Sequence, residues 1–422
     1  MQRMAGLAAC LLGVLVSVVV SARGASPPQS AASELEAARG ILAAGRLEEA
    51  LERIDGVLKR DPVNREAVAV KVTALLGPGR FADALGTYDA YAAAANRQDT
   101  VLLAEIGRAD LKQIIRQPPD TPTLAAALER LARDGDGEAR DALRRASAGA
   151  TSRDAVVLNV GLARLGEQDG VRRLGELLDS ASTPIARAEV IRALQDAGIR
   201  GLAPKVAALL TDGEPLVRSA AALAVGALQF ADAVPRLEAI FKEDAHIVRM
   251  HAAVALKRLG RNTADVYLAQ MLGNETAEVR LIAAEAYQTA KSTQWVPWVR
   301  TVLSDRNDLN RLRAAELLAC CDQPAARSAL SAMLKSDNPF LRGDAARILE
   351  GTGLADASMA RRMLGDSLAS VRLHGAGVAL TLDGRRSQPG RIVPAPAARQ
   401  TRAPSVAPPS RAAIQNAPAA RM

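Results

Sequence analysis

Aromatic side chains are scarce in this sequence: two Trp, four Tyr and four Phe among 422 residues. Strands draw on β-branched and aromatic residues, so a chain this poor in rings and rich in Ala, Leu and Arg is predicted to be helical. The same shortage removes the stacking platforms on which single-stranded nucleic acid is held. Three His and three Cys are too few for a zinc or disulfide framework. No H-E-x-x-H, no G-x-x-x-x-G-K-[ST] and no G-x-S-x-G occurs, which leaves the common zinc-protease, phosphate-loop and nucleophile-elbow chemistries without their residues. What the chain does have is 49% hydrophobic residues, ample for a core.

Charge is unevenly placed. Residues 384–422 contain seven Arg, seven Pro and neither Asp nor Glu, so this tail carries seven of the chain's net +8, and residues 24–383 sum to −1. The basic character belongs to the tail, and nothing points to a basic nucleic-acid groove on the folded part. Pro-rich and unpatterned, the tail is expected to be extended and mobile; its charge suits contact with an anionic envelope surface. At the other end, Arg3, the uncharged stretch Ala5 to Val20 and the small residues Val20-Ser21-Ala22 read as an export leader over residues 1–25, with a periplasmic or secreted mature protein. An uncleaved anchor is the alternative, because Ala5 to Ala22 is just long enough to span. Arg outnumbers Lys by 46 to 8, the bias of a GC-rich bacterial genome.

Two repeats follow the leader. Gly45-Arg46-Leu47-Glu48-Glu49-Ala50-Leu51 returns 34 residues later as Gly79-Arg80-Phe81-Ala82-Asp83-Ala84-Leu85, and Ile54 and Tyr88 each follow the Ala by four. This spacing resembles the tetratricopeptide repeat, a helix–turn–helix of 34 residues. Residues 100–116 are expected to form a further helix capping this pair, giving a module over 31–116.

The second repeat is stronger. Arg187, Arg218, Arg249, Arg280, Arg311 and Arg342 are each 31 apart, and Arg372 follows after 30. Ala pairs recur three and four residues after the Arg, and Asp212, Glu243, Asn274, Asp305 and Ser336 stand six before it. Apolar residues one before, three, four and seven after the Arg form one helix face. A second apolar run, beginning at Pro204, Pro235 or Pro297, supplies the other helix of each unit, with Pro suited to its first turn. The acidic column is expected to cap the second helix.

The pattern D-x-x-x-x-V-R-x-x-A-A-x-A-L resembles HEAT repeats, of the short variety found in bilin-lyase-type proteins. The resemblance implies a hydrogen-bonded ladder of acid and Arg between units, assigning structural roles to Arg187, Asp212, Arg218, Arg249, Arg280, Asp305, Arg311, Arg342, Asp366 and Arg372. The paired His-Glu motifs of the di-iron HEAT hydroxylases are absent, since none of His246, His251 and His374 precedes Glu. His251 and His374 share a column expected to face solvent. Cys320-Cys321 are expected inside a repeat helix, Cys321 on its buried stripe, and Trp295 and Trp298 in the core.

The sequence therefore predicts an all-α solenoid of stacked helical hairpins: a tetratricopeptide-like pair, then a HEAT array over 122–382, curved into a rod with an open concave face. The function this favours is an exported, non-enzymatic scaffold or adaptor, with no cofactor and no metal, that binds a protein partner on that face. Met250, His251, Leu281, Ile282, Glu285, Leu312, Arg313, Glu316, Asp344 and Arg347 are the candidate contacts. A lyase-like or chromophore-handling protein is the rival suggested by the repeat resemblance, and an envelope protein tethered by its basic tail is the third reading.

Overall fold

The computed structural model describes residues 30–289 and 292–383. The leader over 1–25 and the tail over 384–422 lie outside the described residues, which form 22 α-helices and no strand. No helix among them is long and apolar enough to cross a membrane.

Two compact units divide at Val70/Lys71. The first holds α1 (Ala31–Ala43), α2 (Leu47–Arg60) and the start of α3 (Arg65–Leu76). Leu35, Ala38, Ile54, Val57 and Ala67 form its core, and Arg39 and Arg60 bridge to Glu66 at 2.8 Å and Glu34 at 2.6 Å. Gly45 and Gly79, one 34-residue period apart, both take positive φ, +76° and +82°, which only Gly adopts without strain. Ala50 and Ala84 are fully buried. The division falls inside α3, and α4 and α5 lie in the second unit.

The second unit continues with α4 (Phe81–Ala95), α5 (Thr100–Arg116), α6 (Thr121–Arg133), α7 (Gly137–Gly149), α8 (Ser152–Arg164), α9 (Gln168–Ser180) and α10 (Pro184–Ala197). Then come α11 (Ala203–Ala208), α12 (Pro215–Ala227), α13 (Val234–Glu243), α14 (His246–Arg258), α15 (Asp265–Leu272) and α16 (Ala277–Thr289). The last are α17 (Val296–Val302), α18 (Asp308–Leu318), α19 (Gln323–Met333), α20 (Pro339–Thr352), α21 (Ala357–Leu364) and α22 (Ala369–Leu382). Pro204, Pro235 and Pro297 occupy the first turns of α11, α13 and α17, where the missing N–H would have no partner in any case. The even-numbered helices from α6 to α20 pack in succession, and the odd ones cover them from outside.

The array does not end as a rod. Helix α22 packs on α20 behind it and also on α5 and α6, while α21 meets α5, so the unit closes into a ring. The seam is built from small residues and ion pairs. A Cβ on Gly107 of α5 would lie 3.1 Å from the Ala376 Cα of α22. Arg361 binds Asp89 through Nε at 2.7 Å, Arg372 binds Asp110 at 3.1 Å, and Arg108 joins Asp134 and Asp383 at 2.6 and 2.9 Å.

The repeat Arg works in two directions. Its Nη1 donates to main-chain carbonyls five and six residues back, as Arg218 does to Asp212 and Gly213 at 2.9 and 3.0 Å and Arg311 does to Asp305 at 2.8 Å. Its remaining nitrogens reach a carboxylate of the next unit: Arg187 to Asp212 at 3.2 Å, Arg218 to Asp244 at 2.7 Å, Arg342 to Asp366 at 2.8 Å. Arg218 thus uses only the main chain of Asp212, and Asp244, absent from the expected ladder, is its rung. Arg280 binds the carbonyls of Asn274 and Glu275, and the Arg249 guanidinium lies over the Tyr267 ring. At the seam Arg372 finds Asp110 in place of a next repeat. The acidic column does not cap helices directly. Asp212, Asn274, Asp305 and Asp366 accept the N–H two residues on, which shapes the turn entering the helix. For α6 the cap is Asp120, whose side chain accepts the Thr123 N–H.

Candidate interaction surface

Closure turns the expected concave face into the inside of a ring. Successive inner helices lie side by side, so the flank one residue after each repeat Arg is covered by a neighbour: Ser219 meets His251 on the next helix. Met250, Leu281, Ile282 and Leu312 are accordingly buried and are core residues rather than contacts. The remaining candidates engage one another. Glu285 is shared by Arg313 and Arg258, and Arg347 lies between Glu316 and Asp344, each at 3.4 Å.

The Asp196 carboxyl on α10 is raised by desolvation, and Arg164, Arg347 of α20 and Arg192 oppose that shift. His251 and His374 are half-buried here, not solvent-facing as expected from their column. Burial pushes the His251 imidazole down to about 4 against the pull of Glu285, which keeps it neutral near pH 7. His374 is also lowered by burial, and its Nδ1 lies 2.6 Å from Glu350 Oε2. Arg130 Nε donates to Glu350 Oε1 at 2.9 Å. Burial alone would raise the Glu350 carboxyl; Arg130 and His374 outweigh it and hold it at about 2. Gly377 makes this possible, because a side chain there would occupy the space of the Glu350 carboxylate.

Helix α18 stops at Leu318, so Cys320 and Cys321 fall in the turn beyond it and both are exposed, correcting the expected buried position. Trp295 is fully buried and donates Nε1–H to the Ser292 carbonyl at 2.7 Å; Trp298 is half-buried. Among the described residues no group of three or more His, Cys, Asp or Glu is placed to hold a metal ion.

The surface that sequence reasoning missed is on one edge of the ring. Two residues before the repeat Arg, at the start of each inner helix, stand Ile185, Leu216, Ile247, Leu309 and Phe340, between 41% and 83% exposed. They make up five of the seven large apolar side chains left exposed among the described residues. Glu278 and Ser370 fill the same column in the other two units. The five recur at one register position on the inner helices, with Glu278 interrupting them on α16. The 31-residue spacing carried the signal; attention to the buried face hid it.

A family model described as HEAT repeats matches residues 171–257, 202–288 and 264–350. No curated protein matches the chain. Among solved structures, the complex of CpcE and CpcF of phycocyanin lyase from Nostoc sp. PCC7120 is similar at 21% identity, over 51% of this chain and 88% of that one, with a TM-score of 0.36. Human deoxyhypusine hydroxylase in complex with glycerol is similar at 18% identity, over 58% of this chain and 95% of that one, with a TM-score of 0.32. The helical pairs over residues 171–350 are HEAT repeats.

Proposed function

We propose that this protein is a non-enzymatic scaffold that acts outside the cytoplasm and binds a protein partner along the apolar edge of its ring. The observation that carries this reading is the exposed column from Ile185 to Phe340. Large apolar side chains presented at regular intervals on a rigid frame supply the anchors of a protein interface without ordering cost. On the inner face Glu285 pairs with Arg258 and Arg313, and Arg347 with Glu316 and Asp344, so a partner there would have to compete with these pairs. Export rests on Arg3, the stretch Ala5 to Val20 and the small residues after it.

Photocrosslinking in cells tests the surface. A photoreactive residue at Phe340 or Leu309 is expected to capture one partner, and Leu309→Ser with Phe340→Ser to abolish capture without lowering Tm. Capture only from Arg313 or Glu316 would move the interface to the interior. An absorbing species that co-purifies with the ring would overturn the non-enzymatic part. N-terminal sequencing of the mature protein checks the leader.

A further inference from the structure

One rung of the ladder is missing. Six of the seven repeat Arg donate Nη1 to a carbonyl of the turn behind them: Arg187, Arg218, Arg280, Arg311, Arg342 and Arg372. Arg249 does not. Helix α13 runs on to Glu243, six residues before Arg249, whereas α15, α17, α19 and α21 end eight or nine residues before their Arg. The turn that is left is too short to fold its carbonyls back on the guanidinium. The next unit offers no acid either, because Asn274 stands in the column where Asp212 meets Arg187 and Asp366 meets Arg342.

Among the described residues the Arg249 side chain therefore makes no hydrogen bond and no ion pair, and its Nε is buried without a partner. The acids closest in sequence do not serve it: Asp244 is bound by Arg218, and Glu243 and Glu275 are exposed. The guanidinium lies over the Tyr267 ring, 5.7 Å from its centroid. A ring face attracts the charge but leaves the N–H donors without an acceptor in line. Burial raises the Tyr267 hydroxyl and the Arg249 charge opposes that shift; this hydroxyl too is buried without a partner. Ile247, 46% exposed, stands in the first turn of α14 two residues before Arg249, so an unpaired cation and an apolar anchor are offered together.

We infer that an Asp or Glu side chain of the protein partner fills this rung, binding Arg249 while an apolar neighbour in the partner packs on Ile247. This rests on the reading of the apolar edge as the contact surface. The partner's carboxylate gains at Arg249 the charge-assisted bonds that Asp212 and Asp366 gain inside the ring. A column of similar apolar residues leaves the register of a bound chain open by one or more repeats; a single vacant rung fixes it.

The test uses the full chain with a photoreactive residue at Ile247. Arg249→Gln should lower capture of the partner in cells about tenfold or more. It should leave the Tm of the purified protein within about 1 °C, because no hydrogen bond within the chain is lost, whereas Arg218→Gln should lower Tm by about 4 °C or more. Asn274→Asp supplies the acid from within. Asp212 binds Arg187 while accepting the Glu214 N–H, and Asn274 already accepts the matching Thr276 N–H, so the new carboxylate can do both. It should raise Tm and cut capture as strongly as Arg249→Gln. Mass spectrometry should place the crosslink beside an Asp or Glu of the partner.

Capture unchanged in Arg249→Gln and Asn274→Asp would overturn the inference, as would a loss of Tm in Arg249→Gln equal to that in Arg218→Gln. So would a higher Tm in sodium phosphate than in sodium chloride of equal ionic strength that Arg249→Gln removes, since the rung would then hold a free anion. If Phe340 captures a partner whose yield neither variant alters, the inference falls and the proposed function stands. If neither Ile247 nor Phe340 captures anything, both fall.

Discussion

Glu350 is the acid on which the ring's seam turns, and replacing it with Gln measures what closure contributes. Its carboxylate joins three inner helices: its own α20, α6 through Arg130, and α22 through His374. Held at about 2 rather than its ordinary 4.5, it contributes on the order of 3 kcal/mol at neutral pH, at ~1.4 kcal/mol for each tenfold change in proton affinity. The carboxyl is depressed in the folded state, so that contribution is present above pH 4.5 and lost as pH falls through about 2. Gln keeps the volume against Gly377 and one acceptor for Arg130, but leaves that guanidinium without its counter-charge. The groups facing it are Arg130, His374, the Glu129 that also acts on Arg130, and the Arg347 that acts on His374. Urea unfolding followed by circular dichroism at pH 7, 4 and 3 reads the difference between the two proteins. We expect Glu350→Gln to cost about 2–3 kcal/mol at pH 7, with the gap shrinking steadily on acidification. A cost below about 1 kcal/mol, or a gap that is the same at pH 7 and pH 3, would refute the assignment.

Three other substitutions probe the ring. His251 is lowered by burial to about 4, so the unfolded chain takes up its proton first and stability drops as pH falls from 6.5 towards 4; His251→Asn should flatten the change in Tm between pH 7.5 and 4.5. A Cβ on Gly226 would sit 2.6 Å from the Ala255 Cα, between α12 and α14, and Gly226→Ala should cost about 2–3 kcal/mol in urea unfolding, with an unchanged spectrum for the surviving fold. Arg342→Lys gives up the fork on Asp366 and the bond to the Ser336 carbonyl and should cost about 2 kcal/mol by the same assay; Arg280→Lys, which gives up only carbonyl contacts, should cost about half as much.

Much of the architecture was legible because it repeats. Period, helix pairing, the proline positions and the buried Ala columns all follow from local pattern, and Ala221, Ala252, Ala283, Ala314 and Ala345 are fully buried. The turn chemistry was half legible: residue types at Asp212 and Asp305 signalled a helix entry, but whether a side chain caps a helix or shapes the preceding turn is decided by backbone angles. Arg218 illustrates a further limit. Its partner Asp244 is one column away from the expected acid, and only three-dimensional stacking shows which carboxylate comes within reach. Closure was invisible for a stronger reason. Arg372 and Asp110 are 262 residues apart, and nothing in a repeat's own columns records where the last unit comes to rest.

Closure changes what each repeat contributes. In an open array every hairpin leans on its neighbours and the terminal ones fray; here the last hairpin has a neighbour, supplied by α5 and α6 from the start of the same unit. The device is the repeat's own chemistry used once more. Arg372 caps its turn through the Asp366 and Ser367 carbonyls as the other repeat Arg do, and then meets Asp110 where a following unit would present its acid. Helix α22 fits because Gly375, Ala376 and Gly377 each admit a different neighbour: Met363 of α21, Gly107 of α5, and the Glu350 carboxylate of α20. Ala376 against Gly107, with the Arg372–Asp110 pair, does for the seam what a capping repeat does for an open solenoid, and leaves the starts of the inner helices, with their periodic apolar residues, exposed.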